Sequence, residues 1–263
     1  MAQEDKKKQW ERTQLQWSDK DFLENRANAF MKKRWKRLEY TVASMIENED
    51  IKSNELAKVL DIGAGRGELY RSIKNIIGKY TGVEPSEEML KYEINEEDFV
   101  MLKGSGETIE FSGEFNICVI KEVLDHCYDP EKVLENSYKA LKSGGIIIIS
   151  LTNKNAYYKL LFKKKAEKLE EQHEDHLFNF SPEKIRELLK NAGFKDIRIK
   201  STNYLRLPYF AEEIAGRLPE KAVFGLLNLT DAAGRIFMNG KGGSFIACAR
   251  KPEDKKEETE SIK

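Results

Sequence analysis

The chain has 263 residues, enough for one large or two small domains, and its 45 basic and 45 acidic side chains cancel. This balance excludes a global field that would draw the protein to nucleic acid or to an anionic membrane, so any such binding has to be local. The longest apolar runs, such as residues 146–151, are far shorter than the roughly 20 residues that span a bilayer, and residues 1–8 lead into no apolar signal segment. We therefore expect a soluble, cytoplasmic protein without a membrane span.

The cysteines indicate the same compartment. Cys118, Cys127 and Cys248 are odd in number and lack a C-x-x-C pair, which argues against a disulfide framework and against a thiolate zinc site. Each lies in or beside an apolar strand or loop pattern, where a small buried hydrophobe is more common than a nucleophile. We therefore expect reducing surroundings and no catalytic cysteine.

The first pattern along the chain is an amphipathic helix over residues 23–46. Its apolar face consists of side chains at steps of four and three, namely Met31, Trp35, Leu38, Val42 and Met45. The preceding residues 9–21 carry few apolar side chains among many polar ones. We expect residues 1–55 to form a helical lid or extension, of which residues 1–46 are mobile until a ligand binds beneath them.

From residue 58 onward, short β-rich runs alternate with helical segments, which predicts a mainly parallel α/β sheet. The predicted strands are residues 59–62, 80–83, 99–102, 115–120, 146–151, 196–201 and 244–250. The predicted helices are residues 68–77, 86–95, 130–141 and 183–191. Asp129 with Pro130, and Ser181 with Pro182, supply caps and first turns, and Gly144 with Gly145 is expected to end the helix of residues 130–141.

Residues 204–243 break the alternation. The segment is apolar but is interrupted by Pro208, Gly216, Pro219, Gly225, Gly234 and Gly240. We expect short helices that form a cap or substrate wall inserted in a domain of residues 56–250. Residues 251–263 are charged and almost without apolar side chains, so they are expected to be a disordered tail.

A glycine-rich turn between the first strand and the first helix of the sheet predicts a ligand site. Gly63, Gly65 and Gly67 allow unusual backbone angles and close approach of a ligand to the main chain, next to the N–H groups of a helix start. A dinucleotide fold would have G-x-G-x-x-G/A, but Glu68 follows Gly67, and its carboxylate would repel a pyrophosphate. Glu84 ends the second strand, where it can accept hydrogen bonds from both ribose hydroxyls. The ligand therefore looks like an adenosine without phosphates, and a nicotinamide oxidoreductase is disfavoured.

The motif D-x-G-x-G-x-G starting at Asp61, followed by Glu84 at the end of the next strand, resembles the class I S-adenosylmethionine-dependent methyltransferases. The run F-N-I-C-V-I at residues 115–120, E-V-L-D-H at residues 122–126 and L-K-S-G-G at residues 141–145 is also similar to this family. The segments around residues 176–183 and 192–194 resemble the subgroup that contains ubiquinone-biosynthesis O-methyltransferases. Together these motifs cover roughly residues 58–199 and the closing strand.

The resemblance implies a Rossmann-like fold with a seven-stranded, mostly parallel sheet, helices on both faces and an antiparallel last strand. It also implies S-adenosyl-L-methionine as cofactor and S-adenosyl-L-homocysteine as product. Asp61, Gly63 and Gly65 would cradle the methionine part, Glu84 would bind the ribose, and Gly106 with Glu107 would edge the adenine. The remaining residues of the predicted cofactor site are Ala64, Gly67, Pro85 and Lys121. This chain has Ser105, Asn116 and Ser143 where the family often has Asp, Asp and Pro.

Methyl transfer from a sulfonium is an in-line displacement for which positioning and desolvation supply most of the rate. A hydroxyl acceptor benefits from a general base, and we predict this role for His126 and His176. The alternative for His126 is a structural loop residue that fixes Asp125 or a backbone carbonyl. The run of residues 173–176, His-Glu-Asp-His, also resembles a metal-ligand set, but solvated loop residues are the more common case, so we expect no metal.

The sequence therefore predicts an S-adenosylmethionine-dependent methyltransferase that acts on a small-molecule acceptor. O-methylation is favoured by the resemblance alone. One alternative is a catalytically silent S-adenosylmethionine-binding partner protein. The other is an RNA methyltransferase, in which basic side chains of the first helix contact phosphates and Trp10, Trp17 and Trp35 stack on bases. The zero net charge disfavours a nucleic-acid partner.

Overall fold

The computed structural model describes residues 3–17, 27–49, 56–92, 94–161, 176–207 and 209–254. A seven-stranded sheet forms its centre, with the strand order β3-β2-β1-β4-β5-β7-β6. The strands are β1 Lys58–Ile62, β2 Lys79–Glu84, β3 Phe99–Lys103, β4 Phe115–Lys121, β5 Leu141–Thr152, β6 Lys195–Thr202 and β7 Ser244–Arg250. Neighbouring strands from β3 to β5 are parallel, and β7 runs antiparallel to β5 and β6. The predicted fold class is thus confirmed.

The helices of the described residues are α1 Gln3–Trp17, α2 Ala29–Asn48, α3 Glu68–Ile73, α4 Glu87–Leu90, α5 Pro130–Ala140, α6 Tyr157–Leu161, α7 Pro182–Asn191, α8 Tyr209–Gly216 and α9 Glu220–Phe237. One sheet face packs on α5 and α7 through a cluster that contains Leu134 and Leu189, and the other packs on α2 and α3 through Val42 and Leu69. Because both faces are covered, the central strands are apolar along almost their whole length. None of the described helices is long and apolar enough to cross a membrane.

The N-terminal helices differ from the prediction. The Asn28 side chain accepts a hydrogen bond from the Met31 N–H at 2.9 Å, so α2 begins at Ala29 rather than at residue 23. Residues 18–26 lie outside the described part of the chain. A further helix, α1, occupies Gln3–Trp17, within the expected helical extension of residues 1–55 but before the one helix whose bounds the sequence predicts. Its few apolar side chains give only a weak periodic signal, and contacts with the rest of the protein hold it.

Several element ends also shift. The helix predicted over residues 68–77 ends at Ile73, and the one predicted over residues 86–95 is the single turn Glu87–Leu90. The helix α5 ends at Ala140, and Gly144 with Gly145 lies inside β5 instead of ending the helix. The register between β4 and β5 shifts near Phe115, which accommodates Gly144 at a φ of 76°.

Residues 209–237 form two helices, and the glycines in α9 do not break it. Gly234 is required by packing, because a Cβ there would lie 2.2 Å from Cγ of Tyr204. The helix is tied to α2 by a buried ion pair in which Arg37 donates to Asp231 at 2.9 Å. The second carboxylate oxygen of Asp231 accepts from the Tyr204 N–H at 3.0 Å, so both of its oxygens are paired. The two helices within residues 204–243 therefore form a layer anchored on α2, and the role of this segment as a cap or substrate wall stays a prediction. Of the expected tail, residues 251–254 are described and the rest is not.

Candidate active site

A cavity of about 1840 Å³ opens at the carboxyl ends of β1, β2 and β4. This is where the strand order reverses, the usual ligand site of an open α/β sheet. Ten of the predicted site residues line it, namely Gly63, Ala64, Gly65, Glu84, Pro85, Gly106, Glu107, Lys121, His126 and His176. Asp61 lies in β1 and Gly67 lies in the glycine loop before α3, but neither residue lines the cavity. The structure thus brings the predicted residues together, and their roles stay predictions.

The glycine loop takes the backbone shape that its sequence predicts. Gly63, Gly65 and Gly67 have φ values of 71°, 59° and 72°, which L side chains rarely adopt. A Cβ at Gly63 would also lie 2.3 Å from Cγ2 of Val123. The N–H groups of Gly63 and Ala64 donate to the Val83 carbonyl at 2.8 and 3.1 Å, which holds the loop against β2.

Glu84 is a buried carboxylate at the end of β2. Its oxygens accept from the N–H groups of Gly65 and Ser86, each at 2.9 Å. The pKa of Glu84 is raised to about 7, mainly by burial and to a smaller extent by the carboxylates of Asp61 and Glu68, against the lowering effect of the two backbone donors. Additional donors from a ligand would therefore stabilise its charged form.

Asp61 lies beneath the loop and is almost fully buried. One of its oxygens accepts from the Tyr80 hydroxyl at 2.6 Å, whereas Oδ1 has no hydrogen-bond partner among the described residues. Burial raises the pKa of Asp61 to about 6, although Lys121 and the Tyr80 hydroxyl act in the opposite direction. An unsatisfied buried oxygen is costly, so this position favours a donor or a cation nearby.

Lys121 ends β4 and pairs with Glu39 of α2, with 2.8 Å between Nζ and Oε1. Burial alone would lower the pKa of Lys121, but the charges of Glu39 and Asp61 raise it. Sequence reasoning missed Glu39. Its signal was an acidic residue between the apolar positions 38 and 42 of the α2 face, where a carboxylate needs a partner.

Glu107 belongs to the loop after β3 and holds the chain that leads into α5. Its Oε1 accepts from the N–H groups of Tyr128 at 2.9 Å and Asp129 at 3.4 Å, and Oε2 is buried without a partner among the described residues. Asn136 of α5 donates to the carbonyls of Gly106 and Glu107 at 3.1 and 2.9 Å. Sequence reasoning missed Asn136, because a polar residue on a predicted helix is not by itself a signal for a buried contact. Burial raises the pKa of Glu107, which again indicates a site for a hydrogen-bond donor.

His126 and His176 meet at Asp125 although they are far apart in sequence. The Nε2 atom of His126 lies 3.9 Å from Oδ1 of Asp125, and Nδ1 of His176 lies 3.6 Å from Oδ2. The two imidazole rings are edge to face, with centroids 4.6 Å apart. The three side chains place one ligand atom each within 4.8 Å of one another, so they could orient an acceptor hydroxyl or hold a divalent cation. His173 lies outside the described residues.

The helix α1 lies across this end of the cavity. The Ser86 hydroxyl donates to the Trp17 carbonyl at 2.9 Å, and the rings of Trp17 and His126 are edge to face with centroids 5.6 Å apart. At the other side, the rings of Trp10 and Tyr128 have centroids 5.4 Å apart. The N-terminal helix therefore contributes directly to the wall of the cavity, and its role as a lid stays a prediction.

Comparison with known proteins gives consistent matches. Residues 23–199 match the model of a family described as a methyltransferase domain. An uncharacterized protein of Methanocaldococcus jannaschii is 29% identical over 166 residues, which are 59% of this chain and 78% of that protein. A ubiquinone biosynthesis O-methyltransferase of Thiobacillus denitrificans is 27% identical over 158 residues, 56% of this chain and 68% of the relative.

The fold also matches solved structures. A S-adenosylmethionine-dependent methyltransferase of Thermotoga maritima, described as a possible histamine N-methyltransferase, superposes with a TM-score of 0.58 at 22% identity. The superposition covers 84% of this chain and 92% of that chain. At this identity the likeness concerns the fold.

The buried carboxylate of Glu84 predicts a pH-dependent stability. Between its ordinary pKa of 4.5 and the raised value of about 7, the native state retains a proton that the unfolded state releases, so the free energy of unfolding falls as the pH rises. The variant Glu84→Gln has no carboxylate at this position, so this fall in the free energy of unfolding should be absent from it. The free energy of unfolding of the variant relative to the natural protein should increase by on the order of 2 kcal/mol between pH 4.5 and pH 8.

Urea unfolding at a series of pH values measures this difference. Glu110→Gln is the matched control, because Glu110 is exposed and its neutralisation should leave the pH profile unchanged. Parallel profiles for Glu84→Gln and the natural protein would show that the carboxylate is not desolvated as the structure indicates.

Proposed function

The chain belongs to the methyltransferase family whose model matches residues 23–199 and is a S-adenosylmethionine-dependent enzyme of the class I fold, and from this premise we propose that it methylates an oxygen of a small-molecule acceptor. The observation that carries the proposal is the cavity itself. Its lining includes the glycine loop and Glu84 as well as the pair His126 and His176. A donor site and an acceptor site thus share one enclosure.

The residues present fit the methyl donor. The unpaired Oδ1 of Asp61 beneath the loop favours the cationic amino-acid end, and Glu84 has the position and the raised pKa expected of a carboxylate that gains ribose hydroxyls as donors. The unpaired Oε2 of Glu107 offers an acceptor for an amino group of the base. When bound, S-adenosylmethionine supplies a methyl group on a positively charged sulfur.

The protein positions the acceptor and provides a group that takes the proton of its hydroxyl. An acceptor hydroxyl held near Asp125, His126 and His176 can pass its proton to an imidazole, and the Asp125 carboxylate stabilises the resulting imidazolium. Trp17 from α1 and Trp35 from α2 line the same cavity and exclude water from the acceptor. In this proposal α1 is a lid that opens to admit the acceptor and closes before transfer.

The relative in Thiobacillus denitrificans supports oxygen as the methylated atom, since its name describes an O-methyltransferase. The size of the cavity supports a small molecule as acceptor, because about 1840 Å³ exceeds the roughly 300–1,000 Å³ of common ligand sites and leaves room beside the cofactor. An RNA acceptor and a silent cofactor-binding protein are the alternatives that experiment has to separate.

We expect calorimetry to show binding of S-adenosylmethionine and S-adenosylhomocysteine and negligible binding of NADH, because the loop is followed by Glu68 instead of a pyrophosphate site. Glu84→Ala should weaken S-adenosylhomocysteine by about 1.5–3 kcal/mol, the scale of hydrogen bonds to a charged group. The measurement belongs at pH 8, above the raised pKa of Glu84. Comparable affinity for NADH, or an unchanged affinity of the variant, would refute the assignment of this site.

The acceptor class is tested with methyl-labelled S-adenosylmethionine. The protein is incubated separately with metabolite, lipid and RNA fractions, and we expect label in the metabolite or lipid fraction, on an oxygen. Label in RNA alone would replace the proposal by RNA methylation. Tight cofactor binding without label in any fraction would favour the silent partner protein.

The histidines are tested by His126→Asn and His176→Asn, each of which keeps a polar side chain but removes the imidazole. Loss of a general base should lower kcat by about 10²–10⁴-fold and leave the affinity for S-adenosylhomocysteine unchanged. If neither variant lowers kcat, the two histidines have a structural role and are not general bases. Activity that a chelator abolishes and Mn²⁺ restores would show instead that Asp125 and the histidines act through a metal.

A further inference from the structure

The helices α8 and α9 turn a large apolar surface away from the protein. Its members are exposed by 38% at Leu226 to 82% at Phe237. The set consists of Phe210, Ile214, Leu218, Leu226, Leu229, Ile236 and Phe237. The same helices bury only small parts of their surface, such as Ala215, Val223 and Leu227, against Phe30 of α2. Exposure of this many large apolar side chains on two consecutive helices is typical of an interaction site.

On α9 most of the exposed residues form one uncharged stripe, which we name the outer stripe. It runs through Ala222, Gly225, Leu226, Leu229, Ala232, Ala233, Ile236 and Phe237, at the spacing of one helix face. This stripe is about 22 Å long at the rise of an α-helix. The opposite face carries Val223, Leu227 and Asp231, which are buried against the protein. The helix therefore has two apolar faces. One is buried against the protein, and nothing in the described chain covers the other.

The charges beside the outer stripe are mostly basic. Arg217, Lys221 and Lys241 are exposed and Arg235 is half-buried, and none of them takes part in an ion pair within the described residues. Three of the four acidic residues of this region are used inward. Glu212 accepts from the Asn28 side chain, Glu220 pairs with Lys36, and Asp231 pairs with Arg37. Glu213 is the one exposed acidic side chain among residues 209–243.

We propose that the outer stripe and the exposed residues of α8 are a docking surface for an anionic lipid bilayer. An amphipathic helix that lies in the interface buries its apolar side among the acyl chains, and flanking lysine and arginine side chains reach the phosphate groups. The zero net charge of the chain requires any such attraction to be local, and this surface is local. The proposal concerns attachment to the membrane surface and is independent of which acceptor is methylated.

A second copy of the chain fits the same surface less well. In an antiparallel pair of α9 helices related by a two-fold axis near Leu229, residues 221 and 235 lie on the same side of the helix. Lys221 of one copy would then lie beside Arg235 of the other, so that like charges would meet along the rim of the interface. An anionic surface neutralises this basic rim instead.

A fluorescent label tests insertion directly. Because Cys118, Cys127 and Cys248 are all buried, a single cysteine introduced by Phe237→Cys can be labelled selectively with an environment-sensitive dye. We expect a blue shift of its emission with vesicles rich in phosphatidylglycerol and little change with vesicles of phosphatidylcholine alone. The matched control is Leu56→Cys, an exposed position before β1 that lies against Gly78, whose label should not respond.

Vesicle flotation tests the residues. The double variant Leu229→Glu with Phe237→Glu should no longer float with phosphatidylglycerol vesicles, whereas Leu56→Glu should float like the natural protein. Arg217→Gln, Lys221→Gln and Lys241→Gln should each weaken binding by about fivefold, the effect of one basic side chain near an anionic surface. Unchanged affinity for S-adenosylhomocysteine shows that each variant is folded, independently of methyl transfer.

Three results would overturn the proposal. The first is a label at position 237 that does not respond to anionic vesicles. The second is flotation of the Leu229→Glu and Phe237→Glu double variant at the level of the natural protein. The third is a dimer by light scattering without lipid that this double variant converts to a monomer, because the outer stripe would then be covered by a second copy.

Discussion

Carboxylates buried at one end of the sheet dominate the site. Asp61, Glu84, Glu107 and Asp125 are all largely hidden from solvent, and Lys121, whose charge acts on Asp61, already pairs with Glu39. Burying charges is unfavourable unless hydrogen bonds or opposite charges compensate. The raised pKa values of Asp61 and Glu84, about 6 and about 7, express this imbalance. A ligand with a cationic group and several hydroxyls relieves it, so the site is unfavourable by itself and stabilised by what it binds.

The helix α2 connects this site to the outer surface. Glu39 on one side of α2 pairs with Lys121 in the cavity, and Arg37 on another side pairs with Asp231 of α9. The buried pair at Arg37 fixes α9 on α2, and this orientation leaves the outer stripe exposed. The same helix therefore holds a wall of the proposed methyl-transfer site and the proposed membrane surface in one rigid arrangement.

Local patterns account for the predictions that hold. The strand runs are apolar because both faces of the sheet are covered, and Gly63, Gly65 and Gly67 have the positive φ values that a tight turn at a ligand site requires. The predictions are wrong where a contact between distant segments determines the end of a helix or strand. The glycine at position 234 does not end α9; it leaves room for the Tyr204 ring, which occupies the space of a Cβ. Similarly, β5 includes Gly144 and Gly145 because the register of its pairing with β4 shifts.

Residues close together in the chain were enough to predict the mainly parallel sheet, the glycine loop and the acidic end of β2. The folded structure was needed to show that His126 and His176 meet at Asp125, that Glu39 is the partner of Lys121, and that α1 lies over the cavity. It also decided which side of residues 209–237 is buried, because that segment has apolar residues on two faces and periodicity does not distinguish them. These features depend on packing between distant segments, which a single sequence does not encode in any local pattern.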